Sequence, residues 1–176
     1  MCIRDRNSHR VTGIEYDATR CEFLRHNVAA AGVPAEVLRG DVARATADED
    51  SDDGAGWACR SAVRRADLLF LDPPWGGPDV ARRPAGSVRL GLGGVDVGEL
   101  CRRVAGAGFR ARHVLLKLPP NYDVAFLEET LAGVAAVKVD PAFRKMILAV
   151  VSFRRGGEGG GGGGGDDGEK KEGVEE

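Results

Sequence analysis

Long apolar runs are missing from this 176-residue chain. None approaches the ~18–20 residues that a helix needs to cross a bilayer. The opening MCIRDRNSHR is polar and lacks the apolar centre of a secretion signal, so no membrane partner is expected and the compartment expected is the cytosol or nucleus. Cysteine is sparse: Cys2, Cys21, Cys59 and Cys101 form no C-x-x-C pair, which indicates neither a zinc site nor a disulfide framework. The three histidines, His9, His26 and His113, stand apart from one another and from the acids, so no metal centre is expected. Internal repeats are absent. Net charge is small as well, at −2, but it is unevenly spread.

From Gly156 the chain reads GGEGGGGGGGDDGEKKEGVEE, which has almost nothing to bury and is expected to be a disordered acidic tail over residues 156–176. That tail takes 7 of the 27 acids and 2 of the 25 Lys and Arg, leaving 23 bases against 20 acids in residues 1–155. The part with a core is thus mildly basic, which suits a phosphate-bearing partner. With 43% hydrophobic residues it can build one core. The division expected is an unstructured start over residues 1–10 and one domain over residues 11–155.

Within that domain, strand and helix signals alternate. Residues 11–16 (VTGIEY) form a first strand, and Asp17 caps a helix in which Cys21, Leu24, Val28 and Ala31 recur at helical spacing until Gly32 and Pro34 stop it. Residues 35–39 (AEVLR) are a second strand. Residues 47–61 are acidic and irregular and read as a surface insertion, with Trp57 as an apolar oddity. Residues 68–71 (LLFL) read as a short buried strand. The stretch ARRPAGSVRLGLGG offers no periodic face and reads as a mobile loop. Asp96 and Glu99 resemble a capping box before a helix carrying Leu100, Val104 and Ala107. Residues 114–118 (VLLKL) are a strand, Asp123 caps a helix that Gly133 ends, and VAAVKVD and KMILAVVSF form a closing antiparallel hairpin. This order implies an α/β, Rossmann-like, doubly wound and mostly parallel sheet.

The stretch LLFLDPPWGGPD carries the chemistry. Pro73 and Pro74 fix φ and remove two donors, so the strand stops and Trp75 is left on a stiff loop at its carboxyl end. Ligands bind at that edge of open α/β sheets. Glu15, Asp41, Asp72 and Asn121 all follow predicted strands and therefore converge there. Each alone is an ordinary cap or turn residue. Together they form a candidate site: an acid after a strand suits ribose hydroxyls, and a carbonyl-rich bend beside an indole suits a nucleobase amino group. Trp75 has two readings, a core ring shielding the bend or a free aromatic platform. The pairs Arg64-Arg65, Arg82-Arg83 and Arg102-Arg103 are surface charge or phosphate contacts, with Arg82-Arg83 the best placed beside the motif.

Asp72-Pro73-Pro74-Trp75 resembles the motif of S-adenosylmethionine-dependent amino-group methyltransferases, and the longer PPWGGPD resembles the trimethylguanosine synthase family. The likeness runs over most of residues 11–153: GIEYD, a helix with Arg25 and Asn27, Gly40-Asp41, ADLLFLDPPWGGPDV and LPPN. It implies a class I methyltransferase fold and methylation of guanine N2 on the 7-methylguanosine cap of small nuclear or nucleolar RNA. Site roles follow by position. Glu15, Asp41 and Val42 would bind S-adenosylmethionine together with Asp72. Asp72, Pro73 and Pro74 would receive the amine, and Trp75, Asn121, Arg82 and Arg83 would hold the capped RNA. The indole would attract a base made cationic by its N7 methyl.

The chain departs from the family at three points. Asp72 stands where Ser is usual, and Pro120 where an Arg is usual. The first strand and glycine-rich loop expected before Val11 have no counterpart in residues 1–10, so an amino-terminal truncation is expected. The rival expectations are another amino-group RNA or DNA methyltransferase and a non-catalytic cap-binding fragment. A monomer is expected.

Overall fold

The computed structural model describes residues 10–47, 54–106, 108–140, 143 and 145–154. Strand β1 (Val11–Glu15) leads through helix α1 (Ala18–Ala30) to β2 (Ala35–Arg39), and the two strands pair in parallel from Val11 opposite Ala35 to Glu15 opposite Arg39. Short helix α2 (Val42–Ala45) and α3 (Gly54–Arg65) follow. A second sheet contains β3 (Leu68–Leu71), β6 (His113–Leu118), β8 (Ile147–Phe153) and β7 (Ala135–Asp140) in that spatial order. Between β3 and β6 lie a 3-10 turn (Pro78–Arg82), a small hairpin of β4 (Gly91–Leu92) and β5 (Val95–Asp96), and α4 (Val97–Ala105). Helix α5 (Val124–Thr130) links β6 to β7.

The alternation read from the sequence is therefore present as a mixed α/β fold. β3 and β6 are parallel, and β8 is antiparallel to both β6 and β7, so the closing hairpin inserts its second strand into the sheet. The single sheet expected is divided: among the described strands no ladder joins β1 to β3. The two pieces meet through side chains instead, for Ile14 of β1 and Leu71 of β3 belong to one apolar cluster. In that cluster Val63, Leu69, Val97, Val114, Leu116, Leu118, Leu127, Leu131 and Val151 are fully buried. Each such side chain contributes roughly 1.5–3 kcal/mol by leaving water.

Aspartates start four of the helices. Asp17 accepts from Arg20 N at 2.8 Å, Asp41 from Ala43 N at 2.8 Å, Asp96 from Gly98 N at 2.7 Å and Glu99 N at 3.4 Å, and Asp123 from Phe126 N at 3.0 Å. Each cap is worth about 1 kcal/mol. The capping box at α4 is one-sided, because Glu99 turns to Arg103, 3.4 Å away along the helix. Helix α1 sits shallowly: Cys21 is buried, Leu24 and Val28 are half-buried, and Ala31 and Phe23 are exposed.

Two segments correct the sequence reading. Residues 54–61, expected within an irregular insertion, belong to α3 (Gly54–Arg65), because Cys59 and Val63 recur four residues apart and both are buried. Trp57 lies on that helix, 67% exposed. The segment expected to be a mobile loop is stitched down. Val88 and Leu90 alternate into the core, Val88 bridges to Tyr122, and Asp123 N donates to the Val88 carbonyl at 2.8 Å. Apolar alternation over only three residues is too short to show as a period, but it suffices to anchor the chain. Of the start expected over residues 1–10 only Arg10 is described, and the tail expected over residues 156–176 lies outside the described residues.

Candidate active site

The ladder between β3 and β6 sets the site. Leu71, the last residue of β3, stands opposite Leu116, so one further step puts Asp72 beside Lys117. The Lys117 ammonium lies 2.7 Å from Asp72 Oδ2, with both side chains partly exposed. Pro73 is fully buried under the bend while Pro74 faces outward. Trp75 is half-buried against the core, and its Nε1 donates to the Lys117 carbonyl at 3.3 Å. The indole is thus fixed along one edge, and Lys117 Nζ lies 5.7 Å from the ring centroid.

The two glycines after Trp75 have a backbone reason. Gly76 has φ 85° and Gly77 φ 91°, a region that side chains other than glycine disfavour. This reversal brings the 3-10 turn back beneath the motif, with Val80 buried. Asn121 holds the turn there: its buried amide donates to the Val80 carbonyl at 2.6 Å and to the Arg83 carbonyl at 3.0 Å.

At the carboxyl ends of β1, β2 and β3 opens a cleft of about 770 Å³. Glu15, Asp17, Asp41 and Asp72 line it, with Arg20 as their basic counterpart. Ile14, Val42, Leu71 and Leu92 give it apolar wall. Glu15 Oε1 accepts from Asp17 N at 2.9 Å, which aims the carboxylate and leaves its second oxygen for a ligand. The β4–β5 hairpin leans over Asp41. A Cβ on Gly93, where φ is 57°, would come within 2.6 Å of Asp41 Oδ1, so the approach requires glycine.

The structure thus brings together Glu15, Asp41, Val42, Asp72 and Pro74. Pro73 lies beneath them, and Trp75 stands next to them through Lys117 and Asp72. Asn121, Arg82 and Arg83 are not on the cleft wall. Arg82 and Arg83 are exposed on the turn, where Arg82 pairs loosely with Asp79 at 3.4 Å, and Asn121 is spent on that turn's carbonyls. Sequence reasoning missed Lys117, Tyr16, Arg20 and Gly93. For Lys117 the signal was available, as a lone charge within VLLKL one residue before the strand ends. For Gly93 there was none, since its partner Asp41 is distant in sequence.

Behind the site, burial pushes the Cys101 thiol up to about 12, with Asp96 adding to the effect. Burial, followed by Asp96, also pushes the Tyr122 hydroxyl well above its usual value. Both stay protonated near neutrality and serve packing, not acid–base work. Among the described residues no group of three or more His, Cys, Asp or Glu is arranged to hold a metal ion.

The fold is thus a mixed α/β one with an acidic cleft at the ends of its strands. Among solved structures the chain is similar to the METTL16 MTase domain, with a TM-score of 0.51 and 17% identity, over 82% of this chain and 50% of that one. It is also similar to the human methyltransferase 10 domain containing protein, with a TM-score of 0.47 and 16% identity, over 81% of this chain and 59% of that one. The chain thus spans about half the length of the METTL16 domain. Comparison with curated proteins gives no match. The model of the RNA cap guanine-N2 methyltransferase family matches residues 2–148, and the chain belongs to that family.

Proposed function

We propose that the chain methylates N2 of guanine in 7-methylguanosine-capped RNA with S-adenosylmethionine as methyl donor. The RNA class we infer is the small nuclear and nucleolar RNAs, whose caps would be carried toward 2,2,7-trimethylguanosine in the nucleus or cytoplasm by a monomer. One observation carries the reading: Asp72 and Pro74 of the D-P-P-W bend line the same cleft as Glu15 and Asp41.

The cleft fits the donor in three respects. Its volume is that of a site for a ligand of nucleoside size. Its acids outnumber its single arginine, which suits a molecule carrying a sulfonium and an ammonium. Glu15 and Asp41 are acceptors for ribose hydroxyls and adenine, and Val42 and Leu92 supply apolar contact.

When bound, the cofactor supplies an electrophilic methyl group on positive sulfur. The chain's own residues have to place the amine. Asp72 offers its carboxylate to an amine hydrogen, with Lys117 on Oδ2 before the base arrives. Pro73 and Pro74 hold that carboxylate on a bend with few soft torsions and add carbonyl acceptors without donors. Alignment supplies most of the rate, because in-line attack on a good leaving group needs position more than a base. An amine that has gained a methyl group loses its proton readily. Trp75 adds attraction for a cationic purine of about 0.5–2 kcal/mol.

The test is methyl transfer by the full chain to matched RNAs with and without a 7-methylguanosine cap, with N2-methylguanine identified by mass spectrometry. Labelling confined to capped RNA is expected. Trp75→Ala should weaken 7-methylguanosine binding about tenfold, the equivalent of 1.4 kcal/mol, and leave S-adenosylmethionine binding nearly unchanged. Equal labelling of uncapped RNA, or equal loss of both ligands in Trp75→Ala, would refute the assignment.

A further inference from the structure

Lys117 is a charged residue in a strand whose neighbours Leu116 and Leu118 are fully buried. Its side chain reaches the two groups that the proposed function gives to a cationic base. Nζ is 2.7 Å from the Asp72 carboxylate and 5.7 Å from the Trp75 ring centroid. Its carbonyl also accepts from the indole N–H, which ties the edge of the ring to the strand. A positive charge beside an acceptor and an aromatic face is what a purine methylated at N7 would also present.

On the cap-guanine reading, we propose that Lys117 is a specificity-determining residue, an internal cation that holds the place between Asp72 and Trp75 until a cationic base takes it. The exchange is open to it, because the ammonium is partly exposed on a flexible four-carbon stem and can swing into water. A cationic base has to replace both attractions, whereas a neutral guanine needs only a share of the carboxylate. Lys117 therefore limits how far the site favours a charged ring over an uncharged one. It also offers a counter-charge to Asp72 once the product leaves.

The experiment measures binding of two nucleosides, 7-methylguanosine and guanosine, to the full chain by quenching of Trp75. The background is Trp57→Phe, and mildly acidic buffer keeps the methylated ring cationic. Nucleosides are used so that no phosphate responds to the lysine. Lys117→Met should raise the preference for 7-methylguanosine on the order of threefold to thirtyfold, the sum of a cation–π contact and an exposed ion pair. Lys117→Arg, which keeps the charge, should stay close to the parent. An unchanged preference in Lys117→Met, or an equal change for both nucleosides, would show a merely structural lysine and overturn the inference alone. Binding of S-adenosylmethionine without binding of either nucleoside in any variant would overturn the base-site reading and this inference with it.

Discussion

Asn121 offers a sharp test, because its position read from sequence pointed to the substrate and its geometry points to the chain. Replacing it by alanine removes donors to two carbonyls, at 2.6 Å on Val80 and 3.0 Å on Arg83. Val80 is 6% exposed, but its carbonyl keeps the Arg83 N–H at 3.1 Å, so the loss of the amide there costs about 0.5–1.5 kcal/mol. Arg83 is exposed and its carbonyl recovers a water, so that loss is nearer 0.5–1 kcal/mol. Against this, Asn121 Oδ1 is buried without a hydrogen-bond partner, and deleting it returns roughly 1 kcal/mol. The net expectation is a destabilisation of up to about 1.5 kcal/mol, read as a lower urea midpoint at unchanged slope. Asn121→Asp should cost more, since it turns a carboxylate toward two carbonyls. S-adenosylmethionine affinity should hold in Asn121→Ala, because the residue is not on the cleft wall. The reasoning fails if Asn121→Ala keeps parental stability yet loses base binding, for then the amide reaches substrate.

Two further perturbations follow from the same structure. The Cys101 thiol is raised from 9.0 to about 12 and Tyr122 is shifted in the same direction, so the fold favours their protonated forms. Their contribution should be intact below about pH 9 and fall as pH rises toward 12, from about pH 9 through Cys101 and from about pH 10 through Tyr122 as well, by up to about 1.4 kcal/mol per pH unit for each group. Cys101→Ala should make that fall shallower in denaturation curves taken across the window, and an equally steep fall would exclude the thiol as its source. Gly93→Ala, which would drive a Cβ into Asp41 at a positive φ, should weaken S-adenosylmethionine binding about tenfold, or 1.4 kcal/mol. Gly94→Ala, at φ 80° with open space around it, should spare binding while paying a similar backbone cost; equal effects of the two on calorimetric affinity would show that the contact with Asp41 is immaterial.

What could be read in advance divides along physical lines. The strands at residues 11–15, 35–39, 68–71 and 114–118 and the caps Asp17, Asp41, Asp96 and Asp123 depend on local patterns, and local patterns are visible in a linear chain. Helix α3 was hidden because acids precede it and because its buried face has only Cys59 and Val63 to mark it. The segment carrying Val88 and Leu90 was hidden because its order comes from partners some thirty residues away, at Asn121 to Asp123. At the site, Glu15, Asp41 and Asp72 could be gathered by the rule that strand ends share an edge. Lys117 needed the register of β3 against β6, which no single segment displays. Asn121 shows the converse, a residue correctly placed near the strand ends whose hydrogen bonds are already committed to the backbone.

The position of β8 bears on how the chain is made. Because residues 147–153 lie between β6 and β7, the four-stranded ladder cannot close while they remain inside the ribosome. Until they emerge, among the described strands β6 has a neighbour only in β3, and β7 has none to join. Synthesis thus leaves a row of backbone donors and acceptors waiting beside the half of the sheet that carries the D-P-P-W bend, a window in which a nascent chain is open to capture by chaperones or by its own copies.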